Sequence, residues 1–306
     1  MPGSIPESGI AEAGIAEAGA DEARLLSGRG LFARRFLHSP RGLAGLTLTL
    51  ALGAVAAFAG LIAPGDPLAL GQPALRAPSA AHPMGTDNLG RELFTAVVHG
   101  TRTSLTVVLW VVVISSVLGI LIGAISGYRG GLIDDLLMRF TELVQVVPRF
   151  FLAIMVIALF GPGLDNLIIL LGLTSWPLLA RVVRAETLSL KELEFVEAAR
   201  SYGASATRIL ARHVVPNVMP STIVVVTLMA SRVILIEATL SFLGLGDQNR
   251  ISWGFLASNA NNYLDKAWWM SVFPGGGIAV AVLGFNLLGD GVTDALRPGA
   301  RYSWRM

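Results

Sequence analysis

TSLTVVLWVVVISSVLGILIGAISG, residues 103–127, runs for 25 positions without one ionisable side chain. A helix crossing about 30 Å of hydrocarbon needs roughly 20 mostly apolar residues, so this stretch is long and apolar enough to span a bilayer. Its neighbours repeat the pattern. Residues 43–63 are also uncharged, and residues 140–160, 164–180, 218–240 and 271–288 supply four further candidates. Charged residues interrupt the third and fifth of the six. Gly161-Pro162-Gly163, between the third and fourth, reads as a hairpin turn. Runs of this length are too long for barrel strands, and lipid leaves open backbone groups unsatisfied. The expected fold class is all-α, a polytopic bundle of six membrane helices.

Composition points the same way. Of 306 residues, 53% are hydrophobic and 14% charged, with no cysteine, and the mean hydropathy is +0.65. A soluble domain carries about 25% charge. Disordered, fibrous and disulfide-stapled chains are therefore excluded. A net charge of +2 is too small to attract nucleic acid, so the expected surroundings are a lipid bilayer. With the N-terminus placed in the cytoplasm, 16 Arg and Lys residues fall inside and 5 outside, while Arg149 and Arg232 lie within spans. The positive-inside rule then puts both termini in the cytoplasm.

The first apolar run begins about forty residues in, after a polar stretch, unlike a removable secretion signal. The expected organisation is a cytoplasmic tail over residues 1–42, a membrane domain over 43–292 and a second tail over 293–306. In the first tail, Gly9-Ile10-Ala11-Glu12-Ala13 repeats as Gly14-Ile15-Ala16-Glu17-Ala18. That acidic, Ala-rich tract reads as a flexible tail or as an amphipathic surface helix.

Residues 181–217 form the one long cytoplasmic loop and hold 10 formal charges. Ser189 followed by Glu192 is a capping box at a helix start. Phe195, Ala198, Ala199 and Tyr202 fall at i, i+3, i+4 and i+7 and make one apolar stripe. Gly203 stands where the stripe stops and suits the left-handed residue that ends a helix. Ser205 then caps a second short helix through Ile209 and Arg212, and Pro216 closes the unit. Helix, glycine turn, helix, held by spans on either side: this is a docking knob for a cytoplasmic partner, or else a loop helix packed on its own bundle.

Glu197-Ala198-Ala199, three residues, Gly203, nine residues, then His213-Val214-Val215-Pro216 resembles the EAA loop of ABC importer permeases. Gly85-Thr86-Asp87-Asn88-Leu89-Gly90-Arg91-Glu92, with Gly100-Thr101-Arg102-Thr103-Ser104-Leu105, resembles the dipeptide/oligopeptide/nickel branch of that family. So do Leu240-Ser241-Phe242-Leu243-Gly244-Leu245-Gly246 with Trp253-Gly254, and Asn286-Leu287-Leu288-Gly289-Asp290-Gly291. Within the branch the chain is similar to the DppC/OppC-type subunit, over roughly residues 30–300. Glu92 and Glu142 stand where aspartates are usual, and Arg297 where the residue is often acidic.

The resemblance implies a type I ABC importer permease fold and a non-catalytic subunit in the bacterial plasma (inner) membrane. It implies half of a translocation pathway for di- and oligopeptides, shared with a homologous second permease. Two ATP-binding subunits would bind ATP and Mg, and an extracytoplasmic solute-binding protein would deliver the peptide. ATPase coupling would rest on Glu197, Ala198, Ala199, Arg200, Gly203 and Arg208. The residues are consistent with the absence of any cofactor in this chain. No Gly-x-x-x-x-Gly-Lys-Ser/Thr loop is present, and Lys191 and Lys266 are remote from glycine-rich turns. The four histidines are scattered and show no metal-ligand spacing.

Ionisable groups inside a span cost roughly 2.5 to 3.5 kcal/mol at its centre, so each needs a reason. Arg149 directly follows Pro148, which removes a helix hydrogen bond and bends the span. Arg232 and Glu237 lie five apart on the fifth span and are expected to find partners elsewhere. Arg139 and Glu142 are spaced to pair locally. Pro148, Arg149 and Glu237 are the candidate lining of a polar path carrying both signs; structural pairing with a partner permease is the other reading. Trp268 and Trp269 read as interfacial anchors. The rest of residues 241–269 contacts a solute-binding protein or forms a folded lid. Two rival functions remain: an ion-coupled secondary transporter, for which Glu237 is the one carboxylate, and a membrane scaffold without flux.

Overall fold

The computed structural model describes residues 28–296. The expectations for residues 1–27 and 297–306, the repeated acidic tract among them, lie outside these. Every regular element of the described residues is helical, and extended backbone meets only in an isolated bridge between Thr86 and Glu92. The tail expected to reach residue 42 is already helical from α1 (Gly28–Leu37), and α2 (Pro40–Ala57) begins the first span. Ser39 caps α2 by accepting from the Gly42 N–H at 3.2 Å, with Pro40 at the first position, where no N–H is needed.

A short turn, α3 (Ala59–Ile62), leads to residues 63–92 and then to α4 (Leu93–Arg129), a helix of 37 residues. Bilayer thickness sets the length of an apolar stretch but not where its helix ends, so α4 runs well past residues 103–127 until Gly130 stops it.

The third span departs from expectation. Residues 140–160 are not one helix: α5 (Gly131–Val146) and α6 (Arg149–Phe160) meet at 79°. Pro148 is the cause, because its ring forces Val147 into extended backbone, at φ −76 and ψ 120. Among the described residues five helices are thus long and apolar enough to cross a membrane, six if the bent pair counts as one span.

The fourth span, α7 (Leu164–Ser175) with α8 (Pro177–Leu190), is a 27-residue unit that absorbs the first ten residues of the expected loop. The Ser189–Glu192 capping box is consequently not formed. Ser189 lies inside α8, and its hydroxyl donates back to the Ala185 carbonyl at 3.3 Å. After α9 (Glu194–Ser201) and α10 (Ala206–Ile209), a π turn over Leu210–Val214 passes into α11 (Val215–Phe242). Pro216 therefore does not close the unit. It sits in the first turn of α11, where the Asn217 side-chain amide donates to the His213 carbonyl at 2.6 Å. The last span is α13 (Trp269–Leu296).

Glycines set the two closest seams. On α4, Gly119, Gly123 and Gly127 repeat every four residues and receive Leu179, the Ala180 carbonyl and the Arg184 carbonyl of α8. Gly42 and Gly45 of α2 do the same against Leu288 and Gly291 of α13. A fork of charge ties the second, third and fourth spans together. Arg184 donates through Nε and Nη2 to the two Asp134 carboxylate oxygens, each at 2.6 Å, and the Ser126 hydroxyl donates to the same carboxylate.

At the opposite end, α12 (Trp253–Ala260) plugs the bundle. Trp253 is buried, and its indole N–H donates to the Val97 carbonyl at 3.1 Å. Trp269 is not an interfacial anchor: it is buried and donates to the Thr86 carbonyl at 3.1 Å, pinning residues 85–92. Trp268, at 54% exposure, remains available to an interface.

Candidate functional site

The knob between the fourth and fifth spans is anchored by Val196, which is fully buried against Leu179, Val183, Ile209 and Val214. The apolar stripe points the other way. Phe195 is 43% and Tyr202 92% exposed, Ala198 is exposed, and only Ala199 is half-buried. The loop helix thus packs on its own bundle through Val196 and Ala199 while most of its stripe stays exposed. Glu197 and Arg208 also face outward. Arg200 is exposed too, and its guanidinium lies 5.9 Å from the Tyr128 ring centre, which ties the knob to α4.

The turn at Gly203 has φ +78. The Ala204 N–H donates to the Ala199 carbonyl and the Gly203 N–H to the Arg200 carbonyl, both at 3.0 Å. That pair of bonds is a Schellman closure, which satisfies carbonyls a helix end leaves free. Ser205 starts the next helix as expected, its hydroxyl accepting from the Arg208 N–H at 3.4 Å.

A second feature lies at the bend of the third span. Arg149 opens α6 and donates through Nη2 to the Thr174 carbonyl at 3.1 Å. It lines a cavity of about 150 Å³ together with Ser175, Leu178, Met229, Arg232 and Ile236. Glu237 is not part of that lining. It is 1% exposed and accepts hydrogen bonds from Ser241 at 2.8 Å and Ser104 at 3.3 Å, in the core behind Trp253. The polar path with both signs is thus corrected: the structure brings Arg232 to Arg149 and turns Glu237 away. Arg139 and Glu142 are both exposed and form no ion pair among the described residues.

Residues 119–302 match the family of binding-protein-dependent transport system inner membrane components. The chain belongs to that family. The permease is 40% identical over 226 residues to the dipeptide transport system permease protein DppC of Bacillus subtilis, covering 73% of this chain and 71% of that protein. It is 38% identical over 275 residues to the di/tripeptide transport system permease protein DppC of Pseudomonas aeruginosa, covering 87% and 91% respectively. Among solved structures, an inward-facing form of the MetNI methionine ABC transporter superposes with a TM-score of 0.56 at 18% identity, over 67% of this chain and 98% of that one. The permease fold is thus that of the type I ABC importers.

Two parts of the permease escaped the sequence reading. The glycine repeat on α4 was readable as a small-residue seam, whereas the Asp134–Arg184 fork joins residues 50 apart and left no local signal. The buried Glu237 also has a testable consequence. Glu237→Gln keeps a hydrogen-bond partner for both serines, its oxygen accepting from one hydroxyl and its NH2 donating to the other, and is expected to leave the solubilised permease near wild-type stability. Glu237→Leu strands the hydroxyls, at about 1–3 kcal/mol for each group left unpaired. Thermal unfolding in detergent checks it, and equal midpoints for the two variants would contradict the serine cage.

Proposed function

We propose that this permease is one of two membrane subunits of an ATP-driven importer of short peptides, and that an ATP-binding partner moves it through the Glu197–Gly203 knob. The supporting observation is mechanical. The knob presents an outward apolar stripe and joins α11 through unbroken helix from Ala206 to Phe242, while Leu164–Leu190 holds its other side. Force applied to the knob therefore reaches the fourth span across residues 191–193 and the fifth across the hydrogen-bonded turn at Gly203. ATP and Mg belong to the partner subunits, and a second, homologous permease completes the pathway. A solute-binding protein delivers peptide to the outer face, and both termini and the knob lie in the cytoplasm. The peptide class follows from the relatives, which are named as dipeptide and di/tripeptide permeases.

In this reading Pro148 and Arg149 lie on the path, where, among the described residues, a span is sharply bent. The test is uptake of labelled dialanine into vesicles carrying the assembled importer, with and without ATP. ATP-dependent uptake is expected, and uptake driven by a proton or sodium gradient alone would favour the ion-coupled rival. Arg149→Met is expected to reduce uptake at least about tenfold, the size of a lost charge-assisted contact, while the ATP-binding subunits still co-purify. Normal uptake by that variant would remove Arg149 from the path.

A further inference from the structure

The cavity at the bend of the third span is one-sided in charge. Arg149 and Arg232 both line it, and neither forms an ion pair among the described residues. Arg149 uses one donor on the Thr174 carbonyl. Its remaining donors and all those of Arg232 have no hydrogen-bond acceptor among the described residues. Arg149 is half-buried and Arg232 exposed on the bundle, and cations placed within a span are costly and mark a place where a counter-charge visits.

One more side-chain donor lines it, and a helix start borders it. Ser175 is 6% exposed, lines the same cavity, and its hydroxyl has no hydrogen-bond partner among the described residues. The helix α6 also starts at this point, and Pro148 provides no side-chain cap. Its first-turn N–H groups are left free, at the positive end of a 12-residue helix. Leu178, Val182, Met229 and Ile236 make the rest of the wall apolar.

Two guanidiniums, a free hydroxyl and an uncapped helix start form a set rich in donors, which suits a carboxylate and repels an ammonium. Counted from the helix ends, the cavity lies far from the headgroups, which favours a passing solute or a protein carboxylate over a lipid as the source. Ser175 lies along the span from Leu164, and Arg232 back from Phe242, by about 15 Å at 1.5 Å per residue, roughly half the hydrocarbon thickness.

We infer that the cavity formed by Arg149, Ser175 and Arg232 holds the C-terminal carboxylate of a peptide as it passes the middle of the membrane. This rests on the pathway reading above and adds an orientation to it, because the ammonium end finds no acceptor in the cavity. The other possible source of a carboxylate is the neighbouring permease, and the experiment separates the two.

The assembled importer is placed in vesicles, and its binding protein is loaded to saturation with dialanine or with the C-terminal amide of dialanine. Loading is verified by equilibrium dialysis. Uptake of acid and amide is then compared for wild type, Arg232→Gln, Arg232→Lys and Ser175→Ala. Any preference of the binding protein cancels, since every permease variant receives the same loaded protein. In Arg232→Gln the acid-to-amide ratio is expected to fall about tenfold, the effect of losing a charge-assisted hydrogen bond, with amide uptake little changed. Arg232→Lys retains most of the ratio, and Ser175→Ala lowers it a few-fold.

If acid and amide uptake fall together at constant ratio, carboxylate recognition is overturned while the pathway reading stands. If neither changes in any variant, the pathway reading falls as well. Loss of the second permease from the purified Arg232→Gln complex assigns the guanidiniums to a carboxylate of that subunit, and this too overturns the inference.

Discussion

Gly203→Val is expected to uncouple the permease from its motor: ATP-driven uptake falls about tenfold, and the ATP-binding subunits no longer co-purify, while the chain still inserts and keeps its helix content. The cause is backbone geometry alone. Gly203 holds φ +78, and a Cβ added there meets nothing within 4 Å, so no clash is involved. A left-handed conformation costs a side-chain-bearing residue about 1–2 kcal/mol, and a β-branched one is the least suited to it. Such a penalty reduces the population of the closed turn by roughly 5- to 30-fold. The loss falls on the Ala204-to-Ala199 and Gly203-to-Arg200 bonds that fix the angle between α9 and α10.

Gly203→Asn is the control. Asparagine tolerates this conformation, so most uptake is expected to survive. Glu197→Lys reverses the charge on the outward face without touching the turn and should also release the ATP-binding subunit. Full coupling in both Gly203→Val and Glu197→Lys would show that the partner grips somewhere else.

The second large effect is structural. Gly123→Val is expected to destabilise the permease by about 1–3 kcal/mol or more, lowering its thermal midpoint in detergent and the yield of folded protein. A Cβ at Gly123 would meet the Ala180 carbonyl oxygen, with Val183 Cβ at 2.8 Å and the Arg184 backbone nitrogen at 3.0 Å. Backbone atoms cannot rotate aside, so α4 and α8 must separate, and contacts along the whole seam weaken steeply with the gap. Gly53→Ala tests whether any glycine change in a span would do the same. An added Cβ at Gly53 meets nothing within 4 Å, so alanine there is expected to be neutral or to gain up to about 1 kcal/mol of helix propensity. Equal behaviour of the Gly53 and Gly123 variants would show that the two spans are not seated against each other in this way.

Much of this architecture is legible in the amino-acid sequence. Five of the spans, the hairpin at Gly161–Gly163, the knob with its stripe and the left-handed end at Gly203 all follow from short-range rules. Errors clustered where a local signal met a tertiary alternative. Ser189 and Glu192 have the spacing of a cap, yet the fourth span simply continues through them. Pro216 looks like a terminator, yet a π turn carries the helix across it. Pro148 was identified as a bend, but only the structure shows that two helices meet there at 79°.

The amino-acid sequence by itself determined which stretches are apolar enough to cross a bilayer and where the knob between the fourth and fifth of them lies, because hydrocarbon thickness, helix capping and glycine's φ range act on neighbours in the chain. Only the tertiary structure decided which side chains share a space: Arg149 with Arg232, Glu237 with Ser104 and Ser241, Asp134 with Arg184. Those pairings depend on how each helix is turned about its own axis. A helix that is apolar all round carries little amphipathic signal to set that turn. In lipid the rotation is chosen instead by close packing, here of Gly119, Gly123 and Gly127 against α8, which exists only once both helices are in place.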